Sequence, residues 1–361
     1  MNIKNKLTIL LILKDRHQFT YRWLEYYKYN LSKYKLLIAD GSKNNLIENY
    51  IAKNYNDSKI TYIYYGPDIN LEKYSLKVTK ALKEINTEYI LQSSNDDFYS
   101  IDSIDENINF LEKNIEYCCS RSEIYDFSVE SYREVSGDLN AVSKIYNDVC
   151  FNENDNLNRI TSFSKNFNSL WHDIARTKIM LKAWESVCSN KIYFFPFQDI
   201  YLSFVLTIYG KINHSKGIYM LHQNHREMLA RDEAYGTISS VIINGNFSQL
   251  NLTISSISKE LFNNNKIEDL QFNHYLIYEL FIGNFILKAI KNENNYKISF
   301  QKKLKIGLKK IFRSSTASYP IYILFHIIFK KKIIYKDNFI NDVSKFVKKR
   351  NILSKKTFKI D

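Results

Sequence analysis

Four times in its first hundred residues this chain sets a short apolar run beside a helix-spaced one. That alternation constrains its fold more than any other feature. Residues 9–13 are apolar throughout, as expected of a strand covered on both faces. Phe19, Trp23, Tyr26 and Tyr27 then recur at helical spacing. Residues 34–39 predict a second strand, closed by Asp40, Gly41 and Ser42, and Leu46, Tyr50, Ile51 and Ala52 mark a second helix. Residues 60–65 read as a third strand, and positions 71, 74, 78, 81, 82 and 85 carry the apolar face of a helix. A fourth strand follows at 89–91. Such a series buries its faces best as an α/β fold, a mostly parallel sheet with helices on both sides.

Further along, residues 101–111 predict a helix and 116–122 a fifth strand. Residues 123–168 lack periodicity and are rich in Asn, Asp and Ser, so they read as a partly structured insertion. Order returns with a helix at 177–187, an apolar helix at 200–209 behind an aromatic loop, and a last strand at 217–221. Beyond about residue 244 the sequence is helical and dense in Asn and Lys. The expected organisation is an α/β domain over 1–243 and a helical, basic region over 244–361.

Hydrophobic content of 45% with 15% aromatics excludes a disordered chain, and three prolines with nine glycines leave little room for irregular linkers. The net charge of +13 asks for a polyanionic partner, whether nucleic acid, anionic lipid or a phosphorylated substrate. Cys118, Cys119, Cys150 and Cys188 have no zinc-type spacing, which disfavours both a metal knot and a disulfide framework and points to a reducing compartment. The apolar run at 7–13 is short for a signal peptide and is better explained as a buried strand.

The chemistry concentrates where the fourth strand runs into Ser93, Ser94, Asn95, Asp96 and Asp97. Adjacent carboxylates at a strand's carboxyl end repel unless a cation or solvent lies between them. Hard divalent ions such as Mg²⁺ and Mn²⁺ prefer carboxylate oxygens, and Mg²⁺ is held by one or two of them plus substrate phosphates. Open α/β sheets bind ligands at these strand ends. The plain alternative is an acidic turn in which Asp97 or Ser100 caps the next helix.

Taken together, residues 7–40, the Asn95, Asp96, Asp97, Phe98 turn and the Gln198, Asp199 pair resemble the nucleotide-diphospho-sugar transferase (GT-A) fold. They are most similar to bacterial family-2-type glycosyltransferases, over roughly residues 6–228. The resemblance implies that Lys14, Asp15 and Arg16 line the nucleotide, and that Asp40 contacts base or ribose. The turn at 95–97 corresponds to the family's DxD motif, with Asp97 as metal ligand and Asn95 and Asp96 on the donor. Asp199 falls at the general-base position, and His222 where some members supply a further metal ligand, with His225 nearly as well placed. Trp171, His172 and Arg176 are expected near the acceptor.

The chemistry agrees: a departing diphosphate needs a Lewis acid, Mg²⁺ or Mn²⁺, and an attacking hydroxyl needs a carboxylate base. One base opposite the leaving group predicts inversion. The implied partners are a nucleotide-sugar donor and a glycan or lipid-linked acceptor in surface-polysaccharide synthesis. A sugar nucleotidyltransferase is the alternative within the fold, but it wants a glycine-rich loop after the first strand, which Lys14, Asp15, Arg16 and His17 do not provide. A nucleic-acid-binding protein would account for the charge, but no recognisable module accompanies it, so no nucleic-acid partner is expected.

The positive charge gathers in the tail, where Phe300, Leu304, Leu308 and Ile311 form a stripe flanked by Lys302, Lys303, Lys305, Lys309, Lys310 and Arg313. A second apolar run, 319–329, is too short to span a bilayer but long enough to lie in its interface. The expectation is a cytoplasmic protein resting peripherally on the anionic inner leaflet, the alternative being a helical subdomain packed on the rest.

Overall fold

The computed structural model describes residues 5–55, 57–130, 135–145, 149–225, 247–265, 270–281, 284 and 337–357. β1 (Leu7–Leu13), β2 (Lys35–Asp40), β3 (Ile60–Tyr64) and β4 (Tyr89–Ser93) form a parallel half-sheet in the order β3-β2-β1-β4. Helices α1 (His17–Tyr26), α2 (Leu46–Asn54) and α3 (Leu71–Lys83) connect them. A π turn, Tyr27–Leu31, extends α1. The first strand is apolar at every position for a geometric reason. Its side chains alternate between faces, so that Leu7, Ile9, Leu11 and Leu13 enter one core and Leu10 and Ile12 the other.

The strand order reverses between β1 and β4, because β2 and β3 build outward on one side of β1 and β4 returns to the other. Such a switch point opens a crevice at the strands' carboxyl ends, and the segments after β1 and β4 border it.

Beyond β4 the sheet becomes mixed. β5 (Asp97–Tyr99), β6 (Tyr117–Glu130), β8 (Ile174–Arg176) and β9 (Lys211–Gln223) complete the order β4-β8-β6-β9-β5, and β7 (Asp138–Lys144) pairs with β6 off that path. β8 runs antiparallel to β4 and β6, while β6 and β9 run parallel. α4 (Ile101–Lys113) is capped by Ser100, whose hydroxyl accepts from the Ser103 amide, so Asp97 is not the cap.

The supposed insertion at 123–168 is largely regular where described. β6 continues through residue 130, β7 pairs with it, and α5 (Asn156–Lys165) follows. Periodicity failed there because β6 is bulged at several points, which breaks strict alternation. β9 likewise begins six residues before its apolar signal.

α6 (Thr177–Ser189) and α7 (Phe195–Tyr209) cover one face, joined by α8 (Phe247–Asn265) and α9 (Leu270–Phe281). The last helix, α10 (Asn338–Thr357), lies on the opposite core. Its Ile340, Val343 and Val347 are buried, and Phe346 meets Tyr26 and Phe98 at ring distances of 5.5 and 6.1 Å. The described C-terminal helices therefore share the two cores of the sheet. The tail stripe at 300–313 and the apolar run at 319–329, on which membrane attachment was expected, lie outside the described residues. Among the described residues no helix is long and apolar enough to cross a membrane, and all four cysteines are free thiols.

Candidate functional site

Strand pairing, rather than proximity in sequence, assembles the centre of the site. β5 runs antiparallel to the end of β9 with Asp97 opposite His222. The Asp97 Oδ1 lies 2.6 Å from His222 Nδ1. The other carboxylate oxygen accepts from the Ser94 amide at 3.1 Å and faces His172 Nδ1 at 3.6 Å. The Tyr99 hydroxyl sits 3.4 Å from both that oxygen and His172 Nδ1. Asp97 is fully buried, while the two imidazoles are half-buried. Burial lowers the basicity of His222, but the Asp97 charge and hydrogen bond outweigh it and raise its pKa to about 9. Burial prevails at His172, whose pKa falls below the ordinary histidine value.

Asp96 faces a different set. Its Oδ2 takes hydrogen bonds from Arg16 Nη1 at 3.0 Å and His225 Nε2 at 2.7 Å, and those two nitrogens are 2.9 Å apart. Burial would raise this carboxyl, yet Arg16 and His225 hold it well below the usual carboxylate range. His225 is thus committed to Asp96 rather than Asp97. Asn95 donates to Thr20 Oγ1 at 2.9 Å and to the Arg16 carbonyl at 3.4 Å, tying the turn to the start of α1. Asn95 Oδ1 and Asp96 Oδ1 are buried with no hydrogen-bond partner, an arrangement that asks for a ligand or solvent donor.

The loop after β1 is held in an unusual shape. Asp15 and Arg16 both take left-handed backbone angles, φ 55 and 56°, a costly choice for side-chain-bearing residues that clusters at functional sites. The Asp15 amide donates to Ser42 Oγ at 2.7 Å, and its carboxylate accepts from the Lys43 amide at 3.1 Å. Asp40, buried at the end of β2, accepts from the Ser42 amide at 2.8 Å and from the Tyr62 hydroxyl at 2.9 Å. Next to it Lys77 donates to the Leu13 carbonyl and pairs with Asp68, and both are almost wholly buried. Asp68 in turn lies against Gly41, where even a Cβ would collide with its carboxylate at 2.2 Å. Lys14 adds its charge to this pair. Lys77 and Asp68 carried no sequence signal, because a Lys on a helix and an Asp after Pro67 both read as surface residues.

Asp199 was expected to open a helix. Instead α7 begins at Phe195, with Pro196 in its first turn, which places Asp199 in the second turn and removes the capping alternative. Its carboxylate accepts from the Ser169 hydroxyl at 2.6 Å. Burial pushes Asp199 up to about 6, with the Ser169 bond and Arg121 opposing the rise and Asp173 adding to it. Ser169 begins a five-residue segment, 169–173, that also carries Trp171 and His172. Arg121 fixes its two ends, donating to the Ser169 carbonyl at 2.6 Å and to Asp173 Oδ1 at 3.0 Å. The Tyr219 hydroxyl holds its middle through the His172 carbonyl at 2.9 Å. One short segment thus reaches the Asp97 centre at one point and Asp199 at another.

Trp171 stays with this group, half-buried among Tyr74, Trp184 and Phe195. Arg176 does not. It lies opposite Tyr89, at the amino end of β4, and its guanidinium serves the carbonyls of Tyr117 and Leu111. That is the far end of the strand from Asp97, so the structure does not bring Arg176 to the site with the other expected residues.

Asp97, His172 and His222 are the described residues whose ligand atoms, one each, lie within 4.8 Å of one another and suit a metal ion. With bonds near about 2.1 Å, neighbouring ligand atoms stand roughly 3 to 3.5 Å apart, a spacing that the two Asp97–imidazole separations of 2.6 and 3.6 Å bracket. One carboxylate and two imidazoles are ordinary ligands for divalent ions.

No family model and no curated protein matches the chain. Among solved structures it is similar to S. aureus TarS 1–349, with a TM-score of 0.50 and 12% identity over 82% of this chain and 77% of that one. A structure of the same TarS fragment in complex with UDP-GlcNAc gives the same TM-score, identity and coverage. A longer TarS structure matches at a TM-score of 0.50 and 14% identity, with 46% of that chain covered. At such identity the likeness is one of fold. The chain has the GT-A architecture, a sheet with helices on both faces followed by helical C-terminal elements.

Proposed function

We propose that this chain is a nucleotide-sugar-dependent glycosyltransferase. The observation that carries the reading is the meeting of Asp97 and His222 at the sheet's switch point, on a GT-A fold, with segment 169–173 running from that centre to Asp199. The UDP-GlcNAc complex of the structurally similar TarS supports a nucleoside-diphosphate sugar as donor. The loop of Lys14, Asp15 and Arg16 and the Asp40 end of β2 border the nucleotide, and the open oxygens of Asn95 and Asp96 accept from its ribose hydroxyls. Asp97 and His222 would hold a divalent cation, which supplies Lewis-acid stabilisation of the leaving diphosphate.

Asp199 is the general base. A carboxyl brought near neutrality still ionises at physiological pH and is basic enough to take a proton from an acceptor hydroxyl. A single base implies inversion at the anomeric carbon. Trp171 lies on the acceptor side, and the acceptor is a glycan or lipid-linked hydroxyl of a surface polysaccharide. The basic segment 300–332 serves attachment to the anionic inner leaflet.

The decisive experiment is thermal stabilisation by UDP, GDP, CDP and dTDP, each with and without Mn²⁺, followed by transfer assays with sugars of the nucleotide that binds. Ligand bound at a hundred times its Kd raises stability by about 2.7 kcal/mol. The expected result is stabilisation by one nucleotide that depends on metal. Absence of any response to all four would overturn the reading, and a product of retained configuration would remove the base from Asp199.

A further inference from the structure

His172 was expected near the acceptor, but the structure places it against Asp97. We propose that His172 is a third protein ligand of the cation, so that Asp97, His172 and His222 form a site selective for the manganese-to-zinc series over Mg²⁺. This rests on the donor-site reading above.

The geometry is two-sided. His222 Nδ1 faces one oxygen of Asp97 at 2.6 Å and His172 Nδ1 faces the other at 3.6 Å. The three ligands come from β5, from β9 and from segment 169–173, so no local loop property brings them together. His172 is held in place independently of any ion, its carbonyl by Tyr219 and the next residue, Asp173, by Arg121.

The surroundings also lack what Mg²⁺ needs. That ion demands oxygen ligands in a near-ideal octahedron. The neighbouring carboxylate, Asp96, gives one oxygen to Arg16 and His225 and is not among the ligand atoms that gather at the centre. The gathered ligand atoms are one carboxylate oxygen and two imidazole nitrogens. Imidazole favours the later first-row ions, in the order Mn²⁺ below Fe²⁺ below Co²⁺.

The test uses the full chain, stripped with chelator and titrated without nucleotide. Mn²⁺ is followed by the loss of its free-ion EPR signal, Co²⁺ by its visible absorption, and Mg²⁺ by competition against bound Mn²⁺. Wild type is compared with His172→Ala, His172→Gln and the remote control His274→Ala, each checked for folding by circular dichroism. Losing a ligand should cost at least the ten- to hundredfold lost when a residue that only orients a ligand is removed. The expected result is Mn²⁺ and Co²⁺ affinity falling about tenfold or more in both His172 variants, an altered Co²⁺ spectrum, and an unchanged control. Mg²⁺ should compete only at large excess in wild type.

Undiminished affinity and an unaltered Co²⁺ spectrum in whichever His172 variant is folded would overturn the inference, as would equal binding of Mg²⁺ and Mn²⁺. Selective ion binding without any nucleoside-diphosphate response would leave the metal site standing and remove the donor reading instead.

Discussion

At the residue scale the two carboxylates differ because their surroundings differ. Asp97 is matched by imidazoles, whereas Asp199 is opposed mainly by a hydroxyl and one shared arginine. Asp97→Asn removes the one carboxylate charge of the proposed metal set, and metal-dependent stabilisation by nucleotide should vanish while the fold, read by circular dichroism, holds. Asp199→Asn should cut turnover by at least about 10²-fold, the lower range of a general base's contribution, with donor affinity nearly unchanged. The base must be ionised, so kcat should rise with pH through an acid limb near 6, the value to which burial lifts Asp199. Ser169 donates to that carboxylate and favours its charged form. In Ser169→Ala the limb should move to higher pH, so activity falls more at pH 6 than at pH 8. A limb that stays put would detach Asp199 from the rate.

At the element scale, two supports behind the site have measurable worth. Arg121 and Asp173 are a buried pair, 3.0 Å apart, that fixes segment 169–173. Arg121→Met strips the buried Asp173 of its guanidinium and leaves the His214 imidazole 3.4 Å from its other oxygen, at a cost of up to about 3–5 kcal/mol, readable as a lowered urea midpoint. The Arg121→Met, Asp173→Leu double variant should recover part of that loss, because the stranded charge is gone. The second support is α10. Phe346 covers Phe98, the residue next to Asp97, and Ile340, Val343 and Val347 are each buried, a class of side chain worth about 1.5–3 kcal/mol on burial. Deleting residues 337–361 should therefore destabilise the whole molecule. A cut at 300 would remove α10 together with the basic stripe. A truncation that kept full stability would show that α10 contributes nothing to the core.

At the scale of the whole molecule, the half-sheet of β1 to β4 makes the crevice and the mixed half supplies its contents. The parallel strands deliver Asp40 and the Ser93 to Asp97 turn at one edge, while His222 arrives on β9 and His172 and Asp199 sit around segment 169–173. Helices α8 and α10, from opposite ends of the C-terminal region, close the two cores on opposite faces.

Local patterning carried the first hundred residues because short strands and helices there obey one period each, so that β1 to β4 and α1 to α3 lie within a few residues of their expected ends. Asp97 stood out for the same reason, as one of two adjacent carboxylates after an apolar strand. The bulged β6 and the early start of β9 escaped, because a bulge breaks the period that a sequence pattern needs. The partners of each charge escaped as well. His222 was separated from His225 only by the β5–β9 register, which sets one imidazole on Asp97 and leaves the other for Asp96. His172 gained its place from a carbonyl held by Tyr219, forty-seven residues away in sequence. Arg176 lost its expected place because pairing with Tyr89 put it at the wrong end of β4. The sequence determined which side chains could do chemistry and on which kind of element they stood. Tertiary structure decided which of them meet, because register and crossover are set by the packing of distant segments and leave no local period to read.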